Sequence, residues 1–315
     1  MPLVSVVMAV RNVERFVREA IQSVLGQTLP DFELIVVDDG SSDGTADVIR
    51  GIDDSRLRLT VLTHRGAPAA LNHGVGISAG RYIAFLDGDD LWAASKLDEH
   101  VRFMESNGSA DLTFSQSRLV AENGAPMLLT TRVTRKVVTF ERLFVDNVIA
   151  NGSSVVVRRD ALAQAGTFDT ALSGAYDFDV WLRVALLRPA NIFCLPRVLT
   201  FYRRREGQIT KDWRLMERAL LNVFGEYKRA MPDRVRPLEA LALCNVRRYL
   251  AAVAYETGDF HAAARLLGRS FVESPVNFVL NPRSYVVGLP LACALVFPGT
   301  ARRGLKRLSR RGARP

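Results

Sequence analysis

Three acidic clusters stand out as residues able to do chemistry. Asp87, Asp89 and Asp90 crowd one short stretch, with Gly88 between the first two. Carboxylates this close repel one another unless a cation sits among them. Hard divalent ions such as Mg²⁺ or Mn²⁺ favour these oxygens and keep positions open for substrate phosphates. Gly88 offers no side chain against a ligand approaching the backbone. A plainer reading competes, an Asp-rich turn or helix cap. Asp38 and Asp39 form the second cluster, Asp177 and Asp179 the third. For the third, the plain reading is acids that suit the positive end of a helix.

The elements around them predict where these groups sit. Leu3–Val10 and Phe32–Val37 are buried strands, and Leu57–Leu62 is a third. Tyr82–Leu86 is short, apolar and bounded, as a strand covered on both faces should be. Phe16, Val17, Ala20, Ile21, Val24 and Leu25 recur at helical spacing, and Pro68–Ile77 reads as a further helix. Strands alternating with helices predict a parallel sheet with right-handed crossovers. Two strands then end in acid clusters at one edge, where open α/β sheets bind ligands. Beyond Asp90, a helix is expected over Leu91–Val101 and a strand over Asp111–Val120. Thr130–Val138 reads as a basic, polar loop near an acceptor, and Val155–Val157 as a strand after Asn151-Gly-Ser-Ser. A helix begins near Tyr176, and Ile192–Leu199 is a strand.

Composition sets bounds. At 315 residues, one large domain plus an accessory piece is expected. Apolar residues at 48% and charged residues at 24% suit a core-forming globular chain. The net charge of +9 is concentrated: Arg302, Arg303, Lys306, Arg307, Arg310, Arg311 and Arg314 stand together without an acid. The body is therefore nearly neutral, and nucleic acid is not indicated as a partner. Cys194, Cys244 and Cys293 are far apart, without a CxxC, and read as buried thiols in a reducing compartment. Leu3–Val10 lacks a preceding basic region, so no signal peptide is expected. The histidines show no metal-ligand spacing.

Four motifs in order carry a family resemblance. They are Val4-Ser-Val-Val-Met-Ala-Val-Arg-Asn12, Val36-Val-Asp-Asp-Gly-Ser-Ser-Asp-Gly-Thr45, Gly80-Arg-Tyr-Ile-Ala-Phe-Leu-Asp-Gly-Asp-Asp90 behind Asn72, and Tyr176-Asp-Phe-Asp-Val-Trp-Leu-Arg183. Over roughly residues 1–210 the chain resembles family 2 glycosyltransferases. The resemblance implies an α/β GT-A fold, a Rossmann-like mixed sheet with flanking helices. It also implies a nucleotide-diphospho-sugar donor, a divalent metal (Mn²⁺ or Mg²⁺) and inversion at the anomeric carbon.

Carried onto this sequence, the resemblance suggests roles. Asp39 would accept a hydrogen bond from a uracil or thymine ring N–H. Asp38 would orient Asp39 or cap the next helix. The backbone of Ala9, Val10 and Arg11 would line the nucleotide pocket. Asp89 and Asp87 would hold the metal, with Gly88 close to the donor, while Asp90 divides between ligand and cap. Asn72 falls where the family carries an Arg-Asn pair, but its predecessor is Leu71. Inverting transfer needs one base for the acceptor hydroxyl. The family pattern is Glu-Asp; Tyr176-Asp177 keeps the base, Asp177, and loses the acid before it. Asp179 is the competitor for that role, and Trp181 reads as core or as an acceptor-stacking ring. Arg205, and after it Arg203, would belong to a loop closing over the diphosphate.

Past residue 212 the resemblance thins. The expected organisation is a catalytic domain over 1–212, a helical region over 213–299 and a basic tail over 300–315. Met216–Tyr227 and Leu238–Tyr255 read as helices, and Ala251–Leu267 resembles one tetratricopeptide-type hairpin, which would pack against the larger domain. The apolar segment 285–297 is too short to span a membrane and is interrupted by Gly288 and Pro290. With the arginine-rich tail it reads as an interfacial anchor on an anionic inner leaflet, or as a core helix before a solvated tail. The expected partners are a UDP- or dTDP-sugar and a glycan or lipid-linked acceptor. The competing classes are a non-catalytic nucleotide-sugar-binding or scaffold protein, and a nucleotidyltransferase of similar fold.

Overall fold

The structure, a computed structural model, describes residues 1–131, 133 and 136–296. The basic tail, Phe297 and part of the Thr130–Val138 loop lie outside the described residues. The chain forms two compact units. The first holds Met1–Val120, Pro126–Phe140 and Val148–Arg203; the second holds Ala121–Ala125, Glu141–Asn147 and the chain from Arg204 on.

In the first unit the order is β1 (Val4–Val10), α1 (Val17–Leu25), β2 (Phe32–Asp38), α2 (Thr45–Arg50), β3 (Leu57–Val61), α3 (Ala67–Ile77) and β4 (Tyr82–Phe85). Then come β5 (Leu91–Trp92), α4 (Lys96–Ser106), β6 (Leu112–Val120), β7 (Pro126–Thr130) and β8 (Val137–Val138). Helix α5 (Phe140–Val145) falls mostly in the second unit. A single 3₁₀ turn (Gly152–Ser154) leads into β9 (Val155–Arg158), α6 (Arg159–Ala165), α7 (Tyr176–Leu187) and β10 (Ile192–Arg203).

The sheet runs β3-β2-β1-β4-β9-β6-β10-β5, with β7 on β6 and β8 on β10. Strands β3, β2, β1 and β4 are mutually parallel, and β9 runs antiparallel between β4 and β6. This is the mixed sheet of the GT-A fold. Strands β1 and β4 are almost wholly buried, as continuous apolar runs must be when both faces are covered. Helix α1 buries Val17, Ala20, Ile21 and Val24, the i, i+3, i+4, i+7 stripe that the sequence carries.

Two expectations change. Leu91–Trp92 begins no helix; it pairs antiparallel with Thr200 and Phe201, and α4 starts at Lys96. Pairing on the exposed edge of β10 outweighs helix propensity over two residues. Strand β10 also runs on to Arg203, past the expected end at Leu199. Its register shifts around Pro196, which has no N–H to donate, and pairing resumes beyond the irregularity.

The second unit contains α8 (Trp213–Ala230), α9 (Pro232–Glu256), α10 (Phe260–Glu273), α11 (Pro275–Leu280) and α12 (Pro282–Val296). The expected hairpin is formed by α9 and α10. Gly258 turns it at φ +82°, and Asp259 caps α10 by accepting from the Ala262 N–H at 3.1 Å.

At the amino edge of the sheet, Ser5 Oγ donates to Glu33 at 2.7 Å and accepts from Gly80 N–H at 2.7 Å. A Cβ at Gly80 would lie 2.5 Å from Ser5 N and 2.7 Å from the Val4 carbonyl carbon, both backbone. Gly80→Ala is therefore expected to cost about 1–3 kcal/mol. Urea unfolding would read it, and a wild-type midpoint would disprove the crowding.

Candidate active site

The carboxyl edge of the parallel strands gathers the acidic clusters. The register sets Val10 beside Asp38, and Asp39 N–H donates to the Val10 carbonyl at 2.9 Å. Ala9 and Val10 thus end β1 against the Asp38-Asp39 corner, and Arg11 emerges exposed. Asn12 follows in the left-handed region, φ +52°. Its N–H donates to Ser41 Oγ at 3.0 Å, and its Oδ1 accepts from Ser42 N–H at 2.8 Å. The loops after β1 and β2 are clasped together.

Asp38 and Asp39 are buried, and their carboxylates do different things. Asp38 Oδ1 accepts from Ser41 N–H at 2.9 Å and Ser41 Oγ at 2.6 Å, an Asx-type turn that neither caps α2 nor orients Asp39. Its Oδ2 is buried without a hydrogen-bond partner among the described residues. Asp39 accepts from Arg65 N–H at 2.7 Å and Gly66 N–H at 2.9 Å, and pairs with His64 Nδ1 at 2.7 Å. The loop before α3 thus closes on the carboxylate expected to read a base. A Cβ at Gly40, φ +70°, would lie 2.8 Å from His64 N. His64 has no sequence signal of its own, because a single histidine in a polar loop carries none.

The second cluster follows β4. Asp87 is exposed, while Asp89 and Asp90 are buried. Gly88 has no room for a side chain: a Cβ would lie 2.8 Å from Val10 Cγ1 and 2.9 Å from Val13 Cγ2. Asp90 caps no helix, because α4 begins only at Lys96. Its Oδ1 accepts from Arg203 N–H at 2.9 Å. Its Oδ2 makes no hydrogen bond of normal geometry, although the Ser153 hydroxyl lies near enough to favour the charged form. Burial above all, and then the charges of Asp89 and Asp87, push the Asp90 carboxyl well above the usual range. Burial, then the charges of Asp87 and Asp177, raises the Tyr176 phenol in the same way. Negative potential therefore converges on this loop.

A divalent cation fits these residues. Asp87 and Asp89 offer hard oxygens one glycine apart, and the potential felt by Asp90 and Tyr176 is the one a cation would relieve. Among the described residues no three His, Cys, Asp or Glu side chains form a cage. Mg²⁺ and Mn²⁺ commonly use one or two carboxylates, completed by phosphate oxygens and water.

The 3₁₀ turn joins this loop to the third cluster. Ser153 Oγ accepts from Asp87 N–H at 3.0 Å. On its buried side the turn is held by Trp92 Nε1, which donates to the Ser153 carbonyl at 2.8 Å, and by Lys96 Nζ, 2.9 Å from the Ser154 carbonyl. Lys96 is fully buried, and burial pushes its ammonium well below the ordinary lysine value. A Cβ at Gly152 would lie 4.0 Å from Asp177 Oδ2. The cue was Asn151-Gly-Ser-Ser, readable in sequence only as a small polar turn.

Helix α7 begins at Tyr176 behind Ala175, which is strained at φ +56°. Asp177 and Asp179 separate clearly. Asp179 is buried and bonded to Arg183 NH2 at 2.8 Å, one turn along. Asp177 is half-buried, and its Oδ1 accepts from the Phe178 N–H at 2.8 Å. Burial raises its pKa above the ordinary carboxylate value. Trp181 is core, 1% exposed and 5.7 Å centroid-to-centroid from Phe85, so an acceptor-stacking role is overturned.

Two expected donor contacts are engaged elsewhere. Asn72 Nδ2 donates to the Phe168 carbonyl at 2.7 Å, and its Oδ1 accepts from the Phe168 N–H at 2.9 Å. Phe168 in turn packs edge-on against Phe85 and Tyr176. Arg203 belongs to no loop. It ends β10, 2% exposed, with Nε donating to the Asp89 carbonyl at 2.8 Å, NH2 to Glu19 at 2.7 Å, and its guanidinium over Phe16. Arg205 lies in the second unit, where its N–H donates to Gln208 Oε1 and its guanidinium to the Glu206 carbonyl.

The fold and this edge define a GT-A nucleotide-diphospho-sugar transferase architecture. A mannosyltransferase from Pyrobaculum calidifontis has a similar fold, with a TM-score of 0.59 at 19% identity over 99% of this chain and 84% of that one. The model of glycosyl transferase family 2 matches residues 5–164, and the chain belongs to that family. The teichuronic acid biosynthesis glycosyltransferase TuaG of Bacillus subtilis is 37% identical over 129 residues, 40% of this chain and 51% of that relative. Escherichia coli WfgD, a UDP-Glc:alpha-D-GlcNAc-diphosphoundecaprenol beta-1,3-glucosyltransferase, is 30% identical over 72% of this chain and 83% of its own length. The chain spans 43–64% of the first curated relatives it matches.

Removing the Arg203 guanidinium strips partners from a buried acidic loop. Arg203→Met is expected to destabilise the protein by about 3 kcal/mol or more, read by denaturant unfolding. A change below about 1 kcal/mol with lost nucleotide affinity would return Arg203 to a donor-binding role.

Proposed function

We propose that the protein is an inverting glycosyltransferase that moves a sugar from a UDP- or dTDP-linked donor to a hydroxyl of a lipid-linked or polymeric glycan in cell-surface polysaccharide synthesis. One observation carries this reading. A carboxylate with a raised pKa, Asp177, lies beside the 3₁₀ turn whose Ser153 holds the Asp87 backbone. Asp177 takes the proton as the acceptor oxygen bonds to the anomeric carbon. The bond from that carbon to the diphosphate oxygen breaks, and the diphosphate leaves with the electron pair. Asp87 and Asp89 would hold Mg²⁺ or Mn²⁺, whose chemistry is to neutralise charge on a diphosphate. Asp39, fixed by the His64–Gly66 loop, and Asp38, with its orphan Oδ2, present acceptors to the donor's base and ribose.

The choice of donor rests on WfgD, whose name specifies UDP-glucose. The Pyrobaculum mannosyltransferase holds GDP-mannose and Mn²⁺, so the fold by itself does not select the nucleotide. The diphosphoundecaprenol acceptor of WfgD supports a lipid-linked acceptor and a peripheral place on the inner face of the cell membrane.

Thermal melting with UDP-, dTDP- and GDP-sugars tests the donor site, since a ligand that binds only the folded state raises Tm. The expected shift comes from a UDP- or dTDP-sugar, needs Mn²⁺ or Mg²⁺, and is lost in Asp89→Asn. A metal-independent shift that survives Asp89→Asn would refute the metal assignment.

Asp177→Asn is expected to keep that shift and lower kcat by about 10²–10⁴-fold. Unchanged turnover would remove Asp177 as the base. The base works only when ionised, and burial raises its pKa. Activity should therefore fall with decreasing pH along a limb above the usual carboxylate midpoint of about 3.9. A limb at or below that value would contradict the environment described.

A further inference from the structure

The second unit carries an apolar surface that its own packing leaves uncovered. Helices α10 and α12 each have an inner and an outer side, and α11 between them buries no residue. Ala263, Leu266 and Ser270 of α10, and Ser284, Leu291 and Ala294 of α12, are buried. On the outer side stand Val272, Val276, Leu280, Val286 and Leu289, each 68–76% exposed. Val276 and Leu280 lie one turn apart on α11, and Val286 and Leu289 one turn apart on α12. The helices are tied together: Phe271 meets Phe278 edge-on at 5.5 Å, and Tyr285 OH donates to the Val279 carbonyl at 2.8 Å. The outward side chains therefore stand on helices that contact one another in sequence, α10 with α11 and α11 with α12. Isolated exposed aliphatics are ordinary, but a contiguous set marks an interaction surface.

Charge identifies the occupant. After Glu273 the chain has no Asp or Glu, yet it carries eight cations, from Arg283 to Arg314. Arg283, in the first turn of α12, is exposed and pairs with Asp146 at 3.3 Å. An acid-free apolar face joined to clustered arginines suits an anionic lipid surface, where apolar burial and attraction to headgroups act together. A second copy is a poor match, because a twofold contact would bring two identical arginine runs together. Among the described residues no helix is long and apolar enough to cross a membrane. The 15 residues of α12 span roughly 22 Å, less than the hydrocarbon thickness of about 30 Å, and Pro290 interrupts the helix.

We infer that the outer face of α10, α11 and α12 seats on an anionic membrane surface, with these helices lying in the interfacial plane. This deepens the membrane placement proposed above and extends the anchor beyond segment 285–297 to α11 and the end of α10. Lipid contact is read without donor or acceptor, so either conclusion can fail without the other.

The test is co-sedimentation of the full chain with phosphatidylcholine vesicles, with and without phosphatidylglycerol. Expected is binding to the anionic vesicles, at least about tenfold weaker on neutral ones. Val276→Glu, Leu280→Glu and Val286→Glu together should weaken anionic-vesicle binding at least about tenfold with circular dichroism unchanged. Wild-type binding by that triple variant would overturn the proposal, as would no binding by the parent. Lipid-free self-association abolished by the triple variant would also overturn it, making a second copy the occupant. Should the variant misfold, a solvent-sensitive dye on Cys293, the exposed cysteine among the three, decides in the parent protein. A blue shift with anionic vesicles supports the seat, and an unchanged spectrum refutes it.

Discussion

A buried guanidinium holds the acidic loop in place. Arg203 closes the end of β10 and reaches both the Asp89 carbonyl and, through its own N–H, the Asp90 carboxylate. Buried charge is tolerated only when paired and hydrogen-bonded. The Arg203 guanidinium meets that requirement through Glu19 and the Asp89 carbonyl, and so ties the loop to the end of β10. Its planar fork serves the backbone of the acidic loop and Glu19 of α1 together, which a lysine could not do. Metal-type carboxylates, first helix and last strand are thereby locked into one arrangement.

The 3₁₀ turn extends that arrangement to the third cluster. Its front face meets the Asp87 backbone through Ser153 and lies near Asp177 at Gly152. Its back is gripped by Trp92 and a buried lysine. Lys96 has His100 as its neighbour, 3.4 Å away, and His100 is itself depressed by burial and then by the lysine's charge. Such a network rigidifies when satisfied and is costly when disturbed. The network fixes the distance between the Asp87 loop and the turn beside Asp177, as sites built on rigid elements require.

How much of this was legible depended on whether a residue's role is written in local pattern. The β1–β4 core, the acid clusters and the helix carrying Asp177 were readable because alternating hydrophobic periods and runs of carboxylates are local signals. Arg203 and Asn72 were misread for the same reason. A cation after a strand looks like a loop contact until the strand proves longer, and Pro196 disguised that continuation. Asn72 looks like a ligand contact until Phe168, remote in sequence, takes both ends of its amide. His64, Ser153 and Lys96 act through long-range contacts that a single sequence does not display.

The departure at Tyr176 then acquires a physical meaning. The resemblance led to an acid before the base, and here a phenol stands in its place. A carboxylate at that position would set a like charge next to Asp177 and push its pKa further upward. With a phenol that burial and nearby carboxylates keep neutral, burial alone raises the base. The same exchange replaces an acceptor-only group with a hydroxyl that can donate as well as accept, beside the carboxylate proposed as the base. On the mechanism proposed above, its effect falls on how the acceptor is held, while the carboxylate assigned as base is unchanged.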